Sequence, residues 1–435
     1  MWNRLLAEVS TPALLVVNGD AGVQLDPAGL QRFTALAAES NVSILYSDYR
    51  EQGPDGWVEH PTIDYQLGSL REGFDFGPVL AWGMATVRRA LDRWGPLDDT
   101  RWAGLYDLRL RVSTLSLPLR IPEVLYGCQR LDSRPTGQQI FDYVDPRRRS
   151  AQEELERAAT AHLERIGARV PPEFDRPVPS DETFPVEASV IIPVRNRVRT
   201  IGDAVRSALG QQAAFAFNVL VVDNHSTDGT TELLNRLAAE HRNLVHLIPA
   251  RMDLGIGGCW NHAVQSSHCG RVAVQLDSDD LYEGPDTLRR IVECMDAGPY
   301  VMVVGSYRMV DMELAEIPPG LVDHREWTRE NGHNNLLRVN GLGAPRAFAT
   351  RILREHPLPN VSYGEDYAIG LRLSREYEIG RIFEPLYLCR RWEGNSDANL
   401  PLALRNRHDL YKDRLRTLEI RARQGIHGNG GPAEA

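Results

Sequence analysis

Three carboxylates within four residues, Asp277, Asp279 and Asp280, close the apolar run Val272-Ala273-Val274-Gln275-Leu276. Side chains this close repel one another and raise one another's pKa unless a cation or hydrogen-bond donors meet them. A hard divalent ion, Mg2+ or Mn2+, is the natural partner for such oxygen ligands. The competing reading is a solvated acidic turn after a strand, so the surrounding elements must decide.

The alternation of that run, bounded by acids on one side and Gly284-Pro285 on the other, predicts a buried strand whose end carries the acids out of a sheet. Around it strands are expected at 188–194, 218–223, 243–248 and 271–276, with helices at 200–211 and 230–241. Alternating strands and helices imply βαβ units and a largely parallel sheet. Ligands of such sheets sit beyond the carboxyl ends of the strands. The residues expected there are Pro193, Arg195 and Asn196, then Asp223, Asn224 and Ser226, then Asp277 and Asp279. Three successive strand ends thus deliver polar groups to one rim.

At 435 residues the chain can hold two or three domains with sizeable cores. Hydrophobic residues at 42% and charged ones at 25% mark an ordinary globular composition, neither disordered nor membrane-embedded. A net charge of -10 without a basic block argues against nucleic acid as the main partner. Cys128, Cys259, Cys269, Cys294 and Cys389 have neither metal spacing nor disulfide density and are expected as reduced thiols. No apolar run approaches the roughly 20 residues that span a bilayer, and Met1-Trp2-Asn3-Arg4 does not open a signal peptide, so the expected location is cytoplasmic.

Read together, Ser189-Val190-Ile191-Ile192-Pro193-Val194-Arg195-Asn196, Val221-Val222-Asp223-Asn224-His225-Ser226-Thr227-Asp228-Gly229 and Leu276-Asp277-Ser278-Asp279-Asp280 resemble the consecutive motifs of family 2 glycosyltransferases. Asp253-Leu254-Gly255-Ile256-Gly257-Gly258-Cys259-Trp260-Asn261 is similar to that family's Gly-rich loop, and Gly364-Glu365-Asp366-Tyr367 to its catalytic segment. The likeness runs from about residue 187 to 395, and the order and spacing of all five motifs make it specific. It implies an α/β GT-A fold, Rossmann-like, with a mostly parallel sheet and helices on both faces. It also implies a nucleotide-diphosphate sugar donor, a Mn2+ or Mg2+ cofactor and an acceptor that is a glycan, lipid, peptide or small molecule.

By this resemblance Asp223 would hydrogen-bond the edge of a uracil or other base, with Pro193 and Arg195 lining the same pocket. Asn196, Asn224, Ser226, Gly257, Asn261 and Ser278 are carried over as further donor-binding positions. Asp277 would contact ribose or sugar, and Asp279 or Asp280 the metal that bridges the phosphates. Asp366 would be the general base of an inverting transfer, with Glu365 beside it. Arg390-Arg391-Trp392-Glu393-Gly394-Asn395-Ser396 resembles the loop that closes over the diphosphate, with Arg391 and Trp392 as donor contacts. Leu388 stands where processive synthases carry Gln, which favours single addition. A non-catalytic nucleotide-sugar binder or scaffold is the main alternative. A nucleotidyltransferase would want a basic Gly-rich loop after the first strand, and Pro193-Val194-Arg195-Asn196 is not one.

The N-terminal region reads as a degenerate partial copy. Tyr106 to Arg130 aligns without gaps to Tyr367 to Arg391 with eleven identities. Upstream, Trp2-Asn3 matches Trp260-Asn261, Pro27 matches Pro285 and Tyr49-Arg50 matches Tyr307-Arg308. Its acids are missing: Gly19, Ala21 and Gly22 fall opposite Asp277, Asp279 and Asp280, with only Asp20 nearby, and Gly104-Leu105 fall opposite Glu365-Asp366. The expected organisation is a partial GT-A-like module at 1–130, a helical and Pro-rich linker at 131–186 whose helix at 151–169 is mostly exposed, and a catalytic domain at 187–395. A charged helical extension at 396–424, docking or forming a homo-oligomer, and a disordered tail at 425–435 complete it.

Overall fold

The computed structural model describes all residues except 19–21, 40–41, 54, 130–143, 179–180 and 429–435. Gly19, Asp20, Ala21, Arg130 and the first part of the expected linker lie outside the described residues, as does the tail beyond 428.

The first third of the chain contains helices α1 (Trp2–Glu8), α2 (Pro27–Glu39), α3 (Met84–Trp94) and α4 (Gly104–Leu115). Its strands are β1 (Ala13–Val17), β2 (Gln24–Leu25), β3 (Ile44–Gly53), β4 (Gly56–His60), β5 (Val79–Gly83) and β6 (Leu119–Gln129). Helix α5 (Arg149–Arg165) follows.

Then come β7 (Ala188–Val194), α6 (Ile201–Leu209), β8 (Phe217–Asp223), α7 (Thr230–Glu240), β9 (Leu244–Leu247), α8 (Ile256–Gln265) and β10 (Val272–Gln275). After the acidic turn follow β11 (Leu281–Tyr282), α9 (Thr287–Ala297), β12 (Met302–Val310), β13 (Glu316–Val322), α10 (Gly332–Asn335), β14 (Arg346–Ala349), α11 (Thr350–Glu355), α12 (Glu365–Glu376) and β15 (Ile379–Arg390). The last helix is α13 (Leu402–Gly428).

Strands β7 to β15 form a nine-stranded sheet in the order β11-β15-β12-β14-β10-β7-β8-β9, with β13 on β12. Strand β7 pairs in parallel with both β8 and β10, and β14 runs antiparallel between β10 and β12. Every residue of β10 is buried, and so is all of β7 except Pro193, as strands covered on both faces require. The carboxyl ends of β7, β8 and β10 therefore open on one rim.

The first sheet has the order β1-β5-β3-β6-β2, with β4 on β3. Its pairings β1–β5, β3–β5, β2–β6 and β3–β4 are antiparallel and β3–β6 is parallel. The same senses hold for β10–β14, β12–β14, β11–β15, β12–β13 and β12–β15. Side chains repeat with the strands. Asn3 clamps the backbone of Leu97 at both its N–H and its carbonyl, as Asn261 does with Leu358. Tyr106 donates to the Leu70 carbonyl at 2.6 Å and Tyr367 to the Leu336 carbonyl at 2.6 Å.

The two trailing helices differ from expectation. Helix α5 ends at Arg165 and is not mostly exposed: Ala151, Leu155, Ala158, Ala159 and Leu163 are buried against α4 and α10. Its apolar stripe is built largely of alanine, which lets helices approach closely without the large side chains that signal burial in a sequence. Helix α13 runs to Gly428, beyond the expected boundary at 424, and packs within the chain on α12. Asp413, Arg416, Ile420 and Arg423 on it are fully buried.

Candidate active site

The acidic turn after β10 splits its carboxylates between interior and cleft. Asp280 faces inward: it accepts the backbone N–H of Arg390 at 2.7 Å and is 5% exposed. Burial, with Asp279 and Asp277 nearby, pushes its carboxyl well above the usual range. Asp277 opens on the cleft, held by the Gln275 amide at 2.9 Å, and the other end of that amide takes the Arg346 backbone N–H at 3.1 Å. Desolvation in the cleft raises Asp277 against the pull of Arg346. Ser278 between them is buried.

Asp279 is part-exposed, and its Oδ2 accepts Trp392 Nε1 at 3.2 Å and Asn395 Nδ2 at 3.1 Å, with Arg197 Nε at 4.0 Å. These donors come from the loop after β15 and the loop after β7, which therefore meet over one carboxylate. Among the described residues no group of three or more His, Cys, Asp and Glu side chains could hold a metal alone. Mg2+ needs only one or two carboxylates when substrate phosphates and water complete its shell. The part-exposed Asp279 fits such an ion, and inward-facing Asp280 does not.

The second acidic group opens α12. Gly364 precedes it in the left-handed region (φ 79°), which favours glycine, and Glu365 and Asp366 fill the first turn, where the helix dipole favours acids. Asp366 is ion-paired to Arg346 Nη1 at 2.9 Å. Desolvation alone would raise its carboxyl, but Arg346 and Lys412 hold it below the ordinary value. Glu365 has the opposite fate. Burial, then the charge of Asp366, pushes it up to about 8, and its Oε2 is buried without a hydrogen-bond partner. Adjacent carboxyls are thus driven apart, one ionised and one protonated at neutral pH.

The remaining expected residues divide by what they touch. Arg195 is exposed beside half-buried Pro193. Asn196 and Ser226 latch two loops together, through Asn196 N–H to Ser226 Oγ at 3.0 Å and Thr227 N–H to Asn196 Oδ1 at 2.8 Å. Asp223 has no exposed surface: its oxygens accept the Ser226 N–H at 3.0 Å and the Thr231 hydroxyl at 2.5 Å, with His246 Nε2 at 3.3 Å. As placed, it caps its turn and offers no edge to a base. Asn224 donates to the Leu254 carbonyl at 2.8 Å and leaves its own Oδ1 buried without a partner. Arg391 is paired with Asp397 at 2.8 Å, so its guanidinium is already engaged.

Gly257 and Asn261 serve packing. A Cβ on Gly257 would lie 2.0 Å from the Pro359 carbonyl, and both ends of the Asn261 amide hold the Leu358 backbone. Helix α8 thereby fixes residues 358–361, which lead into α12 and its acids.

The model of the family described as glycosyl transferase family 2 matches residues 189–356, from β7 through the acidic turn to α11. The chain carries a family 2 glycosyltransferase domain. The domain is built on a mixed α/β sheet. It is 34% identical over 175 residues to glycosyltransferase AglD of Haloferax volcanii, covering 39% of this chain and 25% of that protein. It is 27% identical over 124 residues to the putative glycosyltransferase EpsE of Bacillus subtilis, covering 28% and 44%. Among solved structures, S. aureus TarS 1-349 in complex with UDP-GlcNAc aligns with a TM-score of 0.41 and 19% identity over 55% of this chain and 73% of that one. The chain spans between 25% and 44% of the length of these two curated relatives.

Four residues around the candidate site escaped the sequence reading. Arg346 belongs to no motif. Gln275 carried a signal, as a polar residue inside an apolar strand, and Asn395 lay in a quoted loop without a role. Lys412 carried the plainest signal of all: it is the only lysine in the chain.

Proposed function

We propose that residues 187–395 transfer a sugar from a nucleotide-diphosphate donor, a UDP-sugar by the family resemblance, to one acceptor hydroxyl per event with inversion at the anomeric carbon. The observation that carries this reading is the gathering of Asp277, Asp366 and Glu365 around the Arg346 guanidinium, from the end of β10, the start of α12 and β14. Inverting transfer needs a carboxylate on the acceptor side of the anomeric carbon and positive charge on the side of the leaving diphosphate.

Asp366 is the candidate base because Arg346 keeps it ionised, whereas protonated Glu365 is far too weakly basic to take a proton at neutral pH. Removing the hydroxyl proton as that oxygen attacks is worth ~10²–10⁴ in rate. A bound Mg2+ or Mn2+, held by Asp279, would supply Lewis-acid charge for the diphosphate. The Trp392 loop meets Asp279, Arg195 is exposed just after the end of β7, and both are candidate donor contacts. We assign residues 1–130 as a degenerate partial copy, a reading supported by the matched strand pairing and the paired Asn and Tyr hydrogen bonds. Gly104 stands where the catalytic module has Glu365, so this copy is assigned no chemistry.

The test is a panel of nucleotide sugars with Mn2+ or Mg2+, read as released nucleotide diphosphate, for the wild type and Asp366→Asn. Donor affinity should survive the substitution while kcat falls ~10²–10⁴. Unchanged turnover would remove Asp366 as base, and failure to bind or turn over any nucleotide sugar would remove the transferase reading.

A further inference from the structure

The chain uses arginine at 48 of its 49 Lys and Arg positions, and its one lysine is Lys412 on α13, outside the residues that the family model matches. Lys412 is 7% exposed, and its Nζ donates to the Asn340 carbonyl at 2.7 Å. The same ammonium lies over the rings of Tyr363 at 4.5 Å and Tyr367 at 5.2 Å, the residues that flank Gly364-Glu365-Asp366. We infer that Lys412 is a positioning residue of the transfer site, whose ammonium keeps the proton of the acidic pair on Glu365 and the charge on Asp366. The inference rests on the sugar-transfer reading of this site.

The charge is delivered to a fixed point. Four residues of α13 beyond Lys412 are tied down: Asp413 takes Arg71 and the Ser69 hydroxyl, Thr417 takes the Gly68 N–H, Asp409 pairs with Arg71, and Arg416 reaches the Tyr367 hydroxyl at 2.9 Å. A lysine presents a compact charge with three donors, which suits a slot between two aromatic rings and a carbonyl. The guanidinium used elsewhere in the chain is wider and planar, stacks on ring faces and carries its donors in a fixed fork.

Five charged or titratable groups act on Asp366 or its neighbour. Arg346 comes from β14, Glu365 from the same turn, Asp277 from the end of β10 and Lys412 from α13. Tyr411 on α13 faces Glu365, and His408 faces Lys412. Two cations therefore offset the acids, and only one of them comes from the sheet. Against the desolvation of Asp366, Arg346 lowers its carboxyl most and Lys412 next, and the Tyr367 backbone N–H, donating to it at 2.7 Å, adds to them.

The experiment uses the full chain with Lys412→Gln, which can still donate to the Asn340 carbonyl but has no charge, and Lys412→Arg, which keeps the charge. The acid limb of kcat/KM against pH, set by Asp366, should move up by ~1 pH unit in the Gln variant and return towards the wild type in the Arg variant, with donor affinity unchanged. An unmoved limb in the Gln variant, or an equal displacement in both, would overturn the inference while leaving the transferase reading intact. If the wild type turns over no nucleotide sugar, that reading fails by itself. Lys412 is then tested by urea unfolding of Lys412→Gln, Asp366→Asn and the double variant. A loss from Lys412→Gln that shrinks in the Asp366→Asn background supports the coupling, and additive losses overturn it.

Discussion

Glu365 and Asp366 share a helical turn yet occupy opposite charge states, because Arg346 reaches only one of them directly. The folded-state value for Glu365, about 8, lies above its ordinary 4.5, so the folded chain holds a proton that the unfolded chain releases. The stabilisation is complete below the unfolded value and is lost as pH rises towards and through the folded one. Glu365→Gln cannot ionise. Its unfolding free energy relative to the wild type should therefore rise between pH 5 and pH 9, measured by urea titration, while turnover at pH 7 is largely kept. At the acidic turn, Asp279→Ala should lower donor affinity sharply and abolish its dependence on Mn2+ in calorimetry. Asp280→Ala should instead lower stability, since it strips the Arg390 N–H of its buried acceptor at a cost of about 1–3 kcal/mol. Equal donor affinity with and without EDTA would exclude the metal role of Asp279.

At the scale of elements, α8 acts as a jig for α12. Three contacts hold the intervening segment: Gly257 against the Pro359 carbonyl, Asn261 on the Leu358 backbone, and the Gly255 N–H on Asn360 at 2.7 Å. Gly257→Ala forces a Cβ into a carbonyl that has no space to retreat without carrying α12 with it. Such overpacking costs about 1–3 kcal/mol or more, and the start of α12 should shift with it. The expected outcome is a lower urea midpoint together with a fall in kcat larger than any change in donor affinity. A stable variant with normal kcat would show that α12 is held elsewhere.

Across the whole molecule, each sheet module is followed by a helix that grips the other module. Helix α5 meets the segment around Asn331 to Arg338, where Arg338 Nη1 donates to Gln152 Oε1 at 2.6 Å and Asn331 Nδ2 donates to Thr160 Oγ1 at 3.0 Å. Helix α13 meets residues 66–71 of the first module and, on its other face, the segment 333–340 through Arg416 and Arg423. Asp413 sits at this junction, fully buried between Arg71 and Arg416. Replacing it with Ala would leave two buried guanidinium groups without their shared carboxylate, and breaking such a pair costs about 3–5 kcal/mol. Asp413→Ala should therefore unfold at markedly lower urea, and its remaining folded fraction should transfer sugar more slowly because Lys412 is the adjacent residue. Wild-type stability in that variant would mean that the first module is dispensable to the junction.

The strands around the acidic turn were legible because burial on both faces leaves near-continuous Val, Ile and Leu runs, and because the polar break at Asp277 marks where β10 leaves the sheet. The family was legible in five motifs whose order survives any packing detail, and so was the α/β class. Helix α5 was misread as exposed because a stripe of alanines looks the same in a sequence whether it faces water or another helix. The charge states were beyond reach for a different reason. Which carboxyl of Asp279 and Asp280 turns outward depends on where the Arg390 backbone arrives from the far end of β15. Whether Glu365 or Asp366 keeps its proton depends on desolvation and on two cations from β14 and α13, placed by long-range packing. Local pattern specifies elements and their ends; the electrostatics of the site arises only when distant elements meet.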